Sequence, residues 1–198
     1  MSHHNHEKYI TITAVTGFAS QFFCFIIALI LYPPDYSGEF PKYAPESSVI
    51  IMFGIALNIA ASTTMGIKLA DEKKVLPAAG FTMLAISMGV MMASMFEVTT
   101  IFNKETFEKS YYINTCANFL YVPSLLMIAA YDGFKKWVRI GAIIAILPIF
   151  TACMIFLFHY RNYVVLDLTG SAGYISISLM QVIWGLNIWS NYKRSKEK

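Results

Sequence analysis

Six long apolar runs constrain the fold of this chain more than any other feature of its sequence. A helix rises about 1.5 Å per residue, so about 20 apolar residues cross the roughly 30 Å of hydrocarbon in a bilayer. The runs also lack the alternation of polar and apolar residues that is typical of membrane-spanning barrel strands. The sequence therefore predicts an all-α, polytopic transmembrane six-helix bundle, with spans at residues 9–31, 48–69, 76–96, 112–131, 138–158 and 168–190.

The composition agrees with a membrane protein. Only 14% of the residues are charged, whereas soluble domains usually carry about 25%. The connections at residues 71–74 and 132–136 are too short to hold a catalytic domain, so we expect residues 1–198 to form a single transmembrane domain. Two prolines, Pro123 and Pro148, predict kinks in the fourth and fifth spans.

The basic residues predict the orientation of the bundle. Eleven of the 15 lysines and arginines lie on the side of both chain ends. Cytosolic loops carry an excess of lysine and arginine, so both termini are predicted to be cytosolic and the 32–47 segment to be lumenal or extracellular. Basic flanks of this kind account for the net charge of +3 without a nucleic-acid partner. The expected partners are membrane lipids and other membrane proteins.

The spans carry no ionisable side chain near mid-depth, where such groups mark ion pathways and proton relays. The three cysteines all lie inside spans, and no Cys/His spacing indicates zinc, so neither a metal site nor a cofactor is predicted. We therefore expect a protein that is not an enzyme. One alternative is a lumenal-face lipid-remodelling enzyme that uses Glu97, His159 and Asp167, which lie at span ends. Another alternative is a structural subunit of a larger membrane complex.

Small and amide residues recur along the second span. Gly54, Asn58, Ser62 and Gly66 are spaced four apart and so share one helix face, and Gln181 supplies a further amide in the last span. Such rows allow close helix packing, and an amide in lipid gains from a partner on a neighbouring helix. Helix packing explains them, and so does a partly polar groove that accepts a lipid headgroup, a sterol or a protein partner.

The 32–47 segment, YPPDYSGEFPKYAPES, is rich in proline and aromatic residues. Its prolines restrict the backbone, and its aromatic side chains suit the interface between water and lipid. We expect a stiff cap over the bundle. Its final residues predict the start of the second helix, with Ser47 as the N-cap and Glu46 beside the positive end of the helix dipole.

This segment also resembles a known family. SGEFPKYAPES, followed directly by a span, is similar to the first lumenal loop of the damage-regulated autophagy modulator (DRAM) family of six-span proteins. That family belongs to a wider group that includes GPI-lipid remodelling factors. Pro45, Glu46 and Ser47 match its Pro-Glu-Ser element and Glu39 stands at its acidic position, whereas two family histidines are replaced near Ile113 and Tyr174.

The resemblance implies a function and a location. It implies a non-enzymatic membrane protein that modulates autophagy or membrane-lipid organisation by binding a lipid or a partner. By the same resemblance, its membrane would be lysosomal or another endomembrane, with the plasma membrane as the alternative.

Overall fold

The computed structural model describes residues 3–38, 41–100, 104–158 and 162–196. Of the predicted site residues, Glu39 and His159 lie outside this part of the chain, and the side chain of Glu97 is not described. The described residues form helices and no strand, which confirms the predicted all-α fold. The helices are α1 (His3–Leu31), α2 (Pro45–Asp71), α3 (Val75–Thr100), α4 (Lys104–Ala129), α5 (Lys136–Ile144), α6 (Ile146–Leu157) and α7 (Tyr163–Lys196).

Six stretches are long and apolar enough to cross a membrane, which confirms the predicted multi-pass architecture. Much of their outward surface is apolar, with Phe23, Phe53 and Ile67 each more than half exposed. An apolar exterior of this extent is expected where lipid covers the protein. The stretches are Glu7–Leu31, Pro45–Asp71, Val75–Phe96, Glu105–Ala129, Lys136–Leu157 and Tyr163–Arg194.

The six spans form a ring in chain order. Each span packs against the next along the chain, and α1 also packs against α7, which closes the ring. Short connections explain this order, because they can only join antiparallel neighbours. As a result, the α1–α2 connection lies at the same end of the ring as the start of α4 and the start of α7.

The fifth span consists of two helices, α5 and α6, which meet at Ala145. Pro148 lies three residues further on. A proline has no amide hydrogen and its ring clashes with the carbonyl four residues earlier, so the helix breaks just before it. This confirms the predicted break at Pro148. In contrast, α4 runs without interruption past Pro123, where the kink stays a prediction.

An aromatic cluster fills one half of the ring. Trp184 of α7 packs against Phe18 of α1 at 6.1 Å between ring centroids and against Phe81 of α3 at 5.7 Å. Phe134, from the connection before α5, stacks on the same indole at 6.0 Å. These four side chains are at most 3% exposed. They close the ring at the end opposite the 32–47 segment.

Two helices begin earlier than the sequence predicts. The prediction placed loops before residues 112 and 168, where the apolar runs start, but α4 begins at Lys104 and α7 at Tyr163. The polar residues that precede both runs are compatible with helix, so the helices extend beyond the apolar stretch. Asp167 therefore lies in the second turn of α7 and not in a loop.

The prediction that Ser47 caps α2 is wrong. The helix begins at Pro45, and Ala44 occupies the N-cap position without a side-chain hydrogen bond. Proline is favoured at the first helical position because its fixed φ angle suits the helix and its missing N–H is not needed there. The Ser47 hydroxyl instead donates a hydrogen bond to the Ala44 carbonyl oxygen at 3.0 Å. Glu46 does lie in the first turn, as predicted.

Candidate functional site

A cavity of about 180 Å³ lies inside the ring, in the half that the aromatic cluster leaves open. Residues from α1, α2, α3, α4, α6 and α7 line it, so every span of the ring contributes. Tyr43, from the 32–47 segment, adds to its wall at the end of the bundle. We call this space the Asp167 cavity, after the carboxylate in its lining.

The Asp167 cavity has both polar and apolar lining residues. Most of the polar ones belong to α4 and α7, and they include Ser110, Asn114, Thr115, Asn118, Asp167 and Ser171. The apolar ones come from several spans, and they include Phe25, Ile51, Met91, Ile149, Cys153 and Ile177. A ligand that fits this mixed lining must itself be amphipathic.

Asp167 is held by two tyrosines of the 32–47 segment. The Tyr43 hydroxyl lies 2.7 Å from each carboxylate oxygen, and the Tyr36 hydroxyl donates a hydrogen bond to Oδ2 at 2.9 Å. The segment that joins α1 to α2 thereby reaches across to α7. These bonds account for the capping position that the sequence predicted for the segment.

A short backbone pairing places the two tyrosines. Asp35 and Lys42 exchange two backbone hydrogen bonds, at 2.9 and 3.0 Å, and so bring the two arms of the segment together. Each tyrosine directly follows one of the paired residues, which brings both phenols to one carboxylate. The Asp35 carboxylate accepts a hydrogen bond from the Ser37 backbone N–H at 2.9 Å, and this bond lowers the pKa of Asp35.

Both phenols remain protonated hydrogen-bond donors at neutral pH. Burial, with the neighbouring Asp167 charge as a further cause, raises the pKa of Tyr36 to about 12. The pKa of Tyr43 is also raised, first by burial and then by the same carboxylate. The phenols therefore share hydrogen bonds with Asp167 but do not supply a positive charge to it.

A serine of α3 orients an amide in the cavity wall. The Ser94 hydroxyl lies 2.5 Å from Asn114 Oδ1 and also 2.8 Å from the Met91 carbonyl oxygen. When the Asn114 amide oxygen accepts this bond, the NH₂ group of Asn114 stays available to donate a hydrogen bond to a ligand. Asn114 would then act as a donor towards an occupant of the cavity.

The amide row predicted from the second span lies elsewhere, in contacts between helices. Asn58 Nδ2 donates to Gln181 Oε1 at 2.7 Å, and the Ser62 hydroxyl donates to Asn58 Oδ1 at 3.0 Å. Gly54 faces Gln21 and Cys24 of α1 and Gly66 faces Thr82 of α3. None of the row lines the Asp167 cavity, and its role in binding a lipid or a partner stays a prediction.

The described residues of the loop motif border the cavity but do not line it. Pro45 and Glu46 are exposed in the first turn of α2, and Ser47 is buried there. The next residue, Ser48, is the first of this helix to line the cavity. Of the three predicted acid–base residues, the structure describes the side chain of Asp167 alone. A meeting of the three therefore stays untested.

Mean hydropathy carries a signal of this site that the sequence prediction did not use. The most apolar windows of α4 and α7 average 1.3 and 1.2, whereas those of the other spans average 1.8 to 2.6. The two low values belong to the helices that contribute most of the polar lining residues of the cavity. Their polar residues recur at helical spacing, as Ser110, Asn114 and Asn118 do in α4.

The described residues of the site include hydrogen-bonding groups that can hold a ligand. Among the described residues, no group of three His, Cys, Asp or Glu side chains is placed to hold a metal ion. Both oxygens of Asp167 already accept hydrogen bonds, which suits a carboxylate that holds a ligand.

Comparisons with protein-family models, with curated proteins and with solved structures find no match for this chain.

Proposed function

We propose that this chain is a non-enzymatic multi-pass membrane protein that binds a membrane lipid inside its helical ring. We further propose that it modulates autophagy or membrane-lipid organisation, as the resemblance of the 32–47 segment to the DRAM family implies. A lysosomal or other endomembrane location belongs to the same proposal.

The observation that carries this proposal is the Asp167 cavity. A cavity among membrane-spanning helices is surrounded by lipid, the most abundant amphipathic molecule near it. Its lining offers hydroxyl and amide groups together with apolar side chains, which matches a lipid headgroup region joined to an acyl chain.

Lipid retention by the purified protein tests the binding part of the proposal. Gly170 lines the cavity, and a Cβ atom placed there would lie 3.5 Å from the Tyr111 hydroxyl, in ordinary contact. Gly170→Leu is therefore expected to fill part of the cavity and to reduce at least tenfold the lipid that native mass spectrometry finds on the protein.

Gly89→Leu is the matched control for this experiment. A Cβ atom at Gly89 meets nothing within 4 Å, and Gly89 does not line the cavity. This variant should retain lipid as the unchanged protein does. Equal retention by all three proteins would contradict binding inside the ring. If the protein modulates autophagy, autophagic flux in cells should differ between the Gly170→Leu and Gly89→Leu variants.

A further inference from the structure

Asp167 is a carboxyl group in the cavity wall, and its described hydrogen bonds come from two neutral phenols. Two ion pairs of the described residues, Lys68–Glu72 and Lys74–Asp132, lie at the opposite end of the bundle. A carboxylate withdrawn from water among membrane helices normally has a cationic partner, because an unpaired charge there is costly.

The neighbouring tyrosines supply no positive charge. They are neutral donors, and they approach from the 32–47 segment, on one side of the carboxyl group. An ionised carboxylate offers about four lone-pair positions, so it can accept further bonds from the side of the cavity. A positively charged donor on that side would complete these contacts.

Aromatic rings surround the same part of the cavity. Tyr43, Phe107 and Tyr111 line it together with Asp167, and the rings of Phe107 and Tyr111 lie 5.9 Å apart. The faces of aromatic rings attract ammonium groups, because the ring quadrupole is negative at its face. A carboxylate with several aromatic neighbours is the combination that favours an organic cation.

We propose that the Asp167 cavity binds an amphipathic amine, with its ammonium group at Asp167 and its apolar part against Phe25, Ile149 and Ile177. This inference rests on the proposed function and names the ligand class of the same site. A cavity of about 180 Å³ is slightly larger than one of about 150 Å³ that holds a benzene molecule. It therefore accommodates the amine and the first few carbons, while longer chains extend outside it.

Two sources supply this chemistry, an amine-headed phospholipid and a single-chain amine. The test uses the full chain, purified in detergent at neutral pH, and two matched pairs of probes. Phosphatidylethanolamine is compared with phosphatidylglycerol, and dodecylamine with dodecanol. Native mass spectrometry should show the amine of at least one pair binding at least tenfold more tightly than its partner.

Asp167→Asn should reduce the affinity for that amine at least tenfold, whereas Glu105→Gln should leave it unchanged. Glu105 is an exposed acid in the first turn of α4 and lies outside the cavity lining. Preference within the phospholipid pair assigns the site to a lipid headgroup, and preference within the dodecyl pair alone assigns it to a single-chain amine.

Equal affinities within both pairs overturn the inference. This comparison uses only the unchanged protein, so its result does not depend on whether Asp167→Asn folds. Undiminished amine binding by a folded Asp167→Asn variant overturns it as well. In either case, lipid loss in Gly170→Leu would still support lipid binding in the ring. The two proposals can therefore fail separately.

Discussion

At the scale of single residues, buried polar groups determine how the ring is held together. Asn58 and Gln181 are fully buried, and their hydrogen bond joins α2 to α7, the two helices that pack on either side of α1. The Ser62 hydroxyl donates a further hydrogen bond to the Asn58 oxygen. A buried amide that loses its partner keeps its desolvation cost, so the two amides should depend on each other.

We expect Asn58→Leu and Gln181→Leu each to lower the free energy of unfolding by about 1–3 kcal/mol, because each leaves a buried amide unpaired. The double variant should be less destabilised than the sum of the two. Unfolding in mixed detergent micelles measures all three free energies, with Thr63→Val, an exposed position, as the control. Strict additivity of the two substitutions would contradict a direct bond.

At the scale of helices, small residues decide how closely neighbours approach. Gly17 of α1 faces the Leu57 carbonyl and the Ala61 side chain of α2, and no space is left there for a Cβ atom. Gly89 of α3 is spaced four residues from both Ala85 and Ala93, in a row of the kind that packs helices, yet a Cβ atom there would meet nothing within 4 Å. The same residue type in two spans therefore has different packing roles.

The two glycines should respond oppositely to alanine. Alanine favours a helix over glycine by about 1 kcal/mol, so Gly89→Ala should raise the stability slightly or leave it unchanged. Gly17→Ala forces two helix backbones apart, and overpacking of this kind costs about 1–3 kcal/mol. Thermal midpoints in detergent provide the comparison. A Gly17→Ala variant as stable as the Gly89→Ala variant would show that α1 and α2 are less closely packed.

Much of this element-level structure could be predicted from the sequence. The lengths of the apolar runs predict six spans, and Pro148 predicts the interruption of the fifth span. The helix starts were misplaced because polar residues such as Glu105 and Asp167 end an apolar run without ending a helix. The sequence also does not indicate which row of polar residues lines the cavity. Rows in α2 and α4 look alike in spacing, and side chains from other helices decide which row borders a cavity.

The hydrogen bonds from Tyr36 and Tyr43 to Asp167 could not be predicted from the sequence. Tyr36 and Tyr43 are separated from Asp167 by more than 120 residues along the chain. Only the closure of the ring between α1 and α7 brings them together. No local pattern in the 32–47 segment indicates which helix its tyrosines contact.

At the scale of the whole molecule, the ring has two unlike ends. One end carries the aromatic cluster and the two described ion pairs, and the other carries the 32–47 segment and the Asp167 cavity. The positive-inside rule predicts that the cavity end is lumenal or extracellular. A ligand would then reach the cavity from the leaflet opposite the cytosol.

Cysteine labelling in sealed vesicles tests this orientation. Ser37 and Lys135 are exposed at opposite ends of the bundle. In vesicles with the cytosolic face outward, Lys135→Cys should react with a membrane-impermeant maleimide at once. Ser37→Cys should react only after permeabilisation. In both variants the native cysteines are replaced by alanine, so that only the introduced cysteine reacts. The reverse labelling pattern would show that the topology is opposite to the predicted one.

The central claim is that this membrane bundle holds its lipid inside the ring and not merely around it. Cross-linking with a photoactivatable phospholipid, followed by peptide mass spectrometry, tests it most directly. We predict adducts on the cavity-lining residues of α4 and α7, among them Asn118 and Ser171, and their loss in Gly170→Leu but not in Gly89→Leu. Adducts confined to outward-facing residues such as Phe53 and Ile67, and equal in both variants, would contradict lipid binding inside the ring.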